Sequence, residues 1–74
     1  MSSTIIAENR ISVSRVGHHY YHDLTRNGNV IALNAPVSRD RALEIVTSNN
    51  GGTIPAECNF DVCHPRSWRW TVRP

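Results

Sequence analysis

The dipeptide Asn27-Gly28 constrains the fold of this chain more than any other feature of its sequence. Both central residues of a type I′ turn need positive φ, and Asn-Gly is the pair that tolerates this best. The flanking segments, from about His19 to Thr25 and from Asn29 to about Ala35, are predicted to be strands. The sequence therefore predicts a β-hairpin with Asn27 and Gly28 as its two loop residues.

This turn also predicts the register of the hairpin. If Arg26 faces Asn29, then Leu24 faces Ile31, and residues opposite one another or two apart share a face of the sheet. One predicted face carries Tyr20, His22, Leu24, Ile31, Leu33 and Ala35, and the other carries His19, Tyr21, Asp23, Val30, Ala32 and Asn34. The first face is more apolar, so we expect it to contact the core.

A short helix is predicted directly after the hairpin. Ser38 is a natural N-cap, and Val37 and Ala42 are spaced for a hydrophobic staple. The apolar stripe of this helix consists of Ala42, Leu43, Ile45 and Val46. The run Asn49-Asn50-Gly51-Gly52 tolerates left-handed backbone and is predicted to end the helix.

Further strands are predicted on both sides of this unit. Residues 10–15 alternate polar and apolar, and so do residues 67–73, where Trp68, Trp70 and Val72 share one face. Another strand is expected within residues 54–62. The predicted fold class is therefore α+β, with an antiparallel sheet of four to five strands and one short helix on a face. We expect a single domain over residues 1–74.

Composition narrows the functional classes. A chain of 74 residues buries only about 60% of its unfolded surface. All eight basic residues are arginine and the formal net charge is +2, which is too small to indicate nucleic-acid binding by itself. The longest apolar run is the four residues Val30 to Leu33, so neither a signal peptide nor a membrane span is predicted. We expect the protein in the cytosol of the host cell.

The segment Gly17-His18-His19-Tyr20-Tyr21-His22 raises the question of a metal site. On a strand His18 and His22 point one way and His19 the other, so at most two of the three approach one ion. The remaining ligands would have to come from Cys63-His64, and this spacing is not that of a standard zinc site. No metal and no other cofactor is predicted.

Cys58 and Cys63 are predicted to be thiols. Across an extended strand they would lie about 16 Å apart, whereas a disulfide needs Cα atoms within about 7 Å. An internal bridge would require a tight turn between them. Cys58, Phe60 and Val62 alternate as core residues, which leaves Cys63 near the edge. We predict a Cys63-linked dimer on purification, seen as a dimer-sized band only without reductant.

Enzymatic activity is not predicted. Cys63 and His64 are adjacent, so on a strand their side chains diverge and cannot form a nucleophile–base pair. Asp23 could hydrogen-bond His19 or His22, but no motif positions a nucleophile beside them. Gly51-Gly52 follows the predicted helix rather than opening one, so it lacks the helix N-terminus that binds phosphate.

Two resemblances suggest binding functions. Residues 17–49, GHHYYHDLTRNGNVIALNAPVSRDRALEIVTSN, resemble the arm-site DNA-binding domain of phage tyrosine-recombinase integrases. That resemblance implies a three-stranded sheet followed by a helix, with base contacts from His19, Tyr21 and Asp23. Tyr20-Tyr21 and Trp68-Trp70, with neighbouring arginines, could add stacking and phosphate contacts.

In layout, the hairpin Tyr20–Leu33 and the capped helix Ser38–Asn49 also resemble small phage-encoded anti-CRISPR proteins. The resemblance is one of class, and it implies a non-enzymatic inhibitor that occupies a surface of a bacterial CRISPR effector complex and blocks its action on DNA. This is the function we predict, with integrase-like nucleic-acid binding as the alternative. A structural component that forms a homodimer through sheet edges is a third option.

Two sets of residues are candidates for binding the partner. The acids Glu44, Glu57 and Asp61 could mimic phosphate toward a basic channel. Tyrosine and arginine dominate interaction hot spots, and the second set contains His19, Tyr21, Asp23, Arg69 and Arg73.

Overall fold

The structure is a computed structural model and describes residues 9–72. Its elements are β1 (Arg10–Val16), β2 (His19–Arg26), β3 (Asn29–Val37), α1 (Arg39–Ser48) and β4 (Trp68–Val72). Within these residues the strands form one antiparallel sheet in the order β3-β2-β1-β4. The predicted α+β fold is confirmed, with four strands and one short helix. None of the chain between residues 9 and 72 forms a helix long and apolar enough to cross a membrane.

The predicted hairpin turn is present. Asn27 and Gly28 have φ values of 53° and 76°, as the two loop residues of a type I′ turn require. The hairpin between β1 and β2 also turns through two residues, Gly17 and His18, and Gly17 has a φ of 61°. These two tight turns hold three consecutive strands side by side.

The predicted register holds only near the turn. Arg26 faces Asn29, but Leu24 faces Ala32 rather than Ile31. Two β-bulges each insert one extra residue into β3, so His22 faces Ala35 rather than Leu33. At the second bulge Asn34 has a φ of 48°, and its N–H donates to the Asp23 carboxylate. This hydrogen bond across the hairpin accompanies a register that the turn alone could not predict.

The bulges change which residues of β3 reach the core. Ala35 lies on the core face as predicted, opposite His22, whereas Ala32 was predicted on the other face and lies opposite Leu24 instead. The prediction that Ile31 and Leu33 contact the core is wrong, because both side chains are largely exposed. Tyr20, His22 and Leu24 keep their predicted face, since they pair with Arg15, Val13 and Ile11 of β1.

Helix α1 begins and ends as predicted. The Ser38 hydroxyl accepts a hydrogen bond of 3.1 Å from the N–H of Arg41, which is the N-cap contact. At the other end Asn49 is the C-cap, and the N–H of Gly52 donates to the carbonyl of Thr47 at 2.8 Å. Ala42, Ile45 and Val46 are buried and Leu43 packs beside them, so the predicted stripe is the face that contacts the sheet.

The core lies between this helix and one face of the sheet. It contains Val13, Tyr20, Ala42, Ile45, Val46, Cys58, Phe60 and Trp70. Tyr20 stacks on Phe60 at 5.5 Å between ring centroids, and Trp68 meets Phe60 edge-on at 5.2 Å. The aromatic residues of β2 and β4 are therefore packing residues, and Tyr21 is the exception.

The prediction of a strand within residues 54–62 is wrong. This stretch belongs to a loop, residues 49–67, that is folded by local turns, such as the hydrogen bond from the Cys58 N–H to the Pro55 carbonyl at 3.0 Å. Cys58 and Phe60 are buried as predicted, but Val62 is exposed. Alternation of apolar residues fails here because the chain turns after Phe60.

A buried arginine fastens this loop to the sheet. Arg15, on the core face of β1, is only 1% exposed. Its guanidinium donates to the carbonyls of Gly17 at 2.8 Å, Asn59 at 2.6 Å and Asp61 at 3.0 Å. The guanidinium carbon also lies 5.4 Å from the centre of the Tyr20 ring. Burying a charge is unfavourable unless hydrogen bonds replace its hydration, and here three carbonyls do so.

Two further side chains hold the same short segment of the loop. Arg39 at the start of α1 donates to the carbonyl of Phe60 at 2.9 Å, and the Trp68 indole donates to that of Asn59 at 2.8 Å. Donors from β1, α1 and β4 therefore converge on the carbonyls of residues 59–61. We call this arrangement the carbonyl clamp.

Candidate functional site: the open face of the sheet

The sheet has a second face, which looks away from α1 and the core. Side chains alternate along each strand, and the observed register assigns them to it. We call it the open face; it carries Arg10, Ser12, Ser14 and Val16 of β1, His19, Tyr21, Asp23 and Thr25 of β2, and Arg69 and Thr71 of β4. Four of the five residues in the second predicted binding set, His19, Tyr21, Asp23 and Arg69, thus lie on one surface. The fifth, Arg73, lies outside the described residues.

At the centre of the open face a small side chain, that of Ser14, lies between two larger ones. Ser14 pairs with Tyr21 on one side and with Arg69 on the other. Adjacent strands are about 4.8 Å apart, so the backbones carrying Tyr21 and Arg69 are separated by roughly 10 Å. A shallow hollow of about 380 Å³ is lined by Ser14, Val16, Tyr21 and Asn34. Tyr21 and Arg69 therefore occupy register positions on either side of Ser14, and the hollow lies on the Tyr21 side.

A band of hydrogen bonds crosses the strands next to Ser14. The Arg69 guanidinium lies 3.4 Å from the Asp23 carboxylate and donates to the Ser12 hydroxyl at 3.3 Å. Ser12 in turn donates to the carbonyl of Trp70 at 3.1 Å, and its hydroxyl also bonds that of Thr71 at 3.1 Å. Together with the bond from Asn34 to Asp23, this polar band joins all four strands.

The two charges of the polar band are exposed to different degrees. The side chain of Asp23 is 11% exposed, whereas that of Arg69 is 62% exposed. The bulge in β3 explains the burial of Asp23, because Asn34 covers the carboxylate while donating to it. The guanidinium donors of Arg69 are therefore accessible to a partner, whereas the carboxylate of Asp23 is largely buried. A partner that offers carboxylate or carbonyl oxygens suits this surface best.

The acids of the first predicted set lie on the other side of the sheet and on separate segments. Glu44 forms an ion pair with Arg41 on α1. Asp61 accepts a hydrogen bond of 2.9 Å from the N–H of Cys63 within the loop. Glu57 lines a hollow with Arg66 and Trp68. Each acid therefore has its own local surroundings, and they do not share a surface with Tyr21 and Arg69.

The histidines separate as the strand geometry requires. His19 lies on the open face beside Val16, and His22 lies on the core face between Val13 and Ala35. Partial burial lowers the pKa of His22, and the nearby Arg41 adds to this effect while Asp23 opposes it. Across residues 9–72 no three histidine, cysteine, aspartate or glutamate side chains converge as metal ligands.

The two cysteines have different environments. Both thiols are free; Cys58 is buried in the core and Cys63 is exposed in the loop. Burial raises the pKa of Cys58 to about 11, with a smaller contribution from Glu57. Cys58 is therefore protonated at neutral pH, and Cys63 is the thiol accessible for the predicted disulfide between chains.

Three residues of this region were not predicted from the sequence to have a role in it. Arg15 shares its face with Ile11 and Val13, and an arginine on an apolar face is a signal for a buried guanidinium. Ser12 and Ser14 lie on the open face, and the short turn at Gly17 could have predicted that Ser14 faces Tyr21. No feature of the sequence predicts that β4 pairs with β1, which is what brings Arg69 to them.

Comparison of the chain with protein-family models, with curated proteins and with solved structures gave no match.

Proposed function

We propose that this chain is a small non-enzymatic inhibitor that binds a bacterial CRISPR effector complex through its open face and blocks its action on DNA. The observation that carries the binding surface is the placement of Tyr21 and Arg69 on either side of Ser14. The choice of target comes from the resemblance in layout to anti-CRISPR proteins.

The chemistry of the open face supports a protein partner. Tyrosine and arginine are the residues most often found at energetic centres of protein interfaces. Both are placed on strands rather than on loops, and Arg69 is further held by Asp23 and Ser12. Side chains that are already ordered lose less conformational entropy on binding. An acidic or carbonyl-rich surface of an effector subunit is the complementary partner.

The test is a pull-down with the tagged chain from bacterial lysate that contains a CRISPR effector complex. It is done with and without nuclease at moderate salt, and the retained complex is then assayed for DNA binding. We expect a stoichiometric protein complex that survives nuclease and binds DNA poorly. A complex lost on nuclease treatment, or one that retains full DNA binding, contradicts the proposal.

Matched variants locate the surface. Tyr21→Ala and Arg69→Ala are each expected to weaken binding at least tenfold, whereas Arg66→Ala removes an exposed arginine from the loop and should bind like the wild type. If Tyr21→Ala and Arg69→Ala both leave affinity unchanged, the open face is not the binding surface. Loss of binding in a Glu44→Gln, Glu57→Gln, Asp61→Asn triple variant would instead favour the acids.

A nucleic-acid-binding module is the second candidate, and the element order favours it. Strands β1 to β3 followed by α1 have the order implied by the integrase resemblance, and His19, Tyr21 and Asp23 lie on the sheet face away from the helix. The burial of Trp70 and Tyr20 removes two of the aromatic groups first considered for stacking. If the pull-down retains only nucleic acid, and less of it as salt rises, this candidate replaces the inhibitor.

A further inference from the structure

The first half of β3 carries an exposed aliphatic surface. Val30, Ile31 and Leu33 are 62%, 61% and 72% exposed, and we call these three residues the aliphatic strip. Exposed apolar residues scattered singly are normal, but a contiguous group indicates an interaction surface. Here three of the exposed large hydrophobic residues fall within four positions of one edge strand, with Val30 opposite Thr25 and Ile31 and Leu33 at the two bulges, so the group is an exposed edge rather than one face.

The position of the strip explains why α1 leaves it uncovered. Strand β3 is an edge of the sheet within residues 9–72. Val37, at the far end of β3, packs against the core cluster, whereas the strip lies toward the Asn27-Gly28 turn. The helix thus covers the end of the hairpin where β3 finishes, and the end near the turn projects beyond it.

The charge distribution limits what can cover the strip. Residues 29–37, NVIALNAPV, contain no charged side chain, whereas β1, β2 and β4 each carry at least one arginine. Natural edge strands are commonly protected by charges, especially lysine. The strand itself offers no cation to a phosphate backbone, and the neighbouring arginine in the register is Arg26, opposite Asn29. A partner surface that is itself apolar and uncharged suits it.

We infer that the aliphatic strip is a self-association surface, covered by the same strip of a second copy of this chain. A two-fold interface places the same patch of both subunits in contact, so the patch must complement itself. An uncharged aliphatic strip does this without bringing like charges together. The outward N–H and C=O groups of two edge strands can also pair in antiparallel fashion.

The bulges determine how strong this association is. They disrupt the regular ladder around Ala32 and Asn34, and Pro36 has no N–H to donate. Pairing is therefore limited to the first few residues of β3, and aliphatic side chains supply most of the contact. Interfaces of this limited size are weak and reversible. The inference is separate from the proposed function, because the strip lies on β3 and contains neither Tyr21 nor Arg69, although Val30 pairs with Thr25 of the open face.

The experiment is sedimentation-velocity ultracentrifugation of the full chain from roughly 10 to 500 µM, because reversible association depends on concentration. A reductant keeps Cys63 from linking chains. We expect the weight-average mass to rise from monomer toward dimer. Leu33→Asp, in the strip, should weaken association at least about tenfold. Ile54→Asp, at an exposed aliphatic residue in the loop, should associate like the wild type.

Three outcomes would overturn the inference. These are a wild type that stays monomeric throughout, a Leu33→Asp variant that associates like the wild type, and an Ile54→Asp variant that is equally impaired. A wild type that stays monomeric would mean that any partner of the strip is a different protein or residues 1–8 of the same chain.

A concentration series of amide NMR spectra of the wild type keeps the test independent of any folding defect in the variants. Shifts concentrated in residues 29–33 support the inference, and shifts concentrated in α1 contradict it.

Discussion

The two ends of the sheet differ in which side chains they bury. At the end covered by α1 and the loop, which we call the clamped end, the guanidinium of Arg15 is almost fully buried. At the other end, the hairpin end around the Asn27-Gly28 turn, Ile31 and Leu33 are exposed. The burial of a side chain therefore depends on which elements pack over its strand as much as on the type of residue. The clamped end is stabilised from within, and the hairpin end has apolar surface available for a partner.

The largest predicted effect tests the clamped end. Arg15→Met removes three hydrogen bonds made by a buried charged donor, although the Asn59 carbonyl keeps the Trp68 indole, so we expect a loss of more than about 4 kcal/mol in the free energy of unfolding. Arg26→Met, an exposed arginine at the hairpin end, should change it by less than about 0.5 kcal/mol. Urea unfolding followed by circular dichroism measures both. Equal stabilities of the two variants would contradict the role of the clamp.

A pair of aliphatic truncations compares the two ends directly. Ile45→Ala opens a cavity between α1 and the sheet and should cost about 2–4 kcal/mol. Leu33→Ala removes a similar side chain at the hairpin end and should cost about 0.5 kcal/mol or less, because that side chain is exposed. Thermal unfolding at low protein concentration, where self-association is minimal, gives both values. A large loss for Leu33→Ala in the monomer would mean that the strip is packed within its own chain.

A smaller effect is expected at the polar band, which crosses the four strands between the two ends of the sheet. Asp23→Ala leaves the Asn34 N–H without its acceptor at the bulge, and we expect a loss of about 1–3 kcal/mol. Arg69→Ala removes the ion pair with Asp23 and the hydrogen bond to Ser12, and because the Arg69 side chain is 62% exposed we expect a loss of about 0–1 kcal/mol. The double variant separates the two contributions. If Asp23→Ala costs no more than Arg69→Ala, Asp23 does not fix the bulge.

The smallest effect concerns pH. Because the folded protein lowers the pKa of His22, the unfolded chain binds more protons as the pH falls through the ordinary histidine value near 6.5. Stability should therefore be complete above that value and decrease as the pH falls toward the folded pKa. His22→Gln should flatten this part of the stability–pH curve. Parallel curves for the wild type and His22→Gln would show that other groups cause the decrease.

Part of the candidate site could be predicted from the sequence. The period of two along a strand places His19, Tyr21 and Asp23 on one face and Arg69 on the corresponding face of the last strand. That Tyr21 and Arg69 flank Ser14 could not be predicted, because it depends on β1 lying between β2 and β4. This order results from packing between segments that are far apart in the chain.

Local sequence patterns predict the Asn27-Gly28 turn, the capped helix after Ser38 and the shared face of Trp68, Trp70 and Val72. These depend on φ preferences, capping and alternation, which act within a few residues. Only the tertiary structure decided the bulges that expose Ile31 and Leu33, the burial of Arg15 and the course of the loop past Val62. Each of these depends on hydrogen bonds or packing between different elements, such as the bond from Asn34 to Asp23 across the hairpin and the carbonyl clamp between the sheet, α1 and the loop. The partners in these contacts come together only through folding, so a local pattern can indicate that Arg15 is buried but cannot predict which carbonyls it contacts.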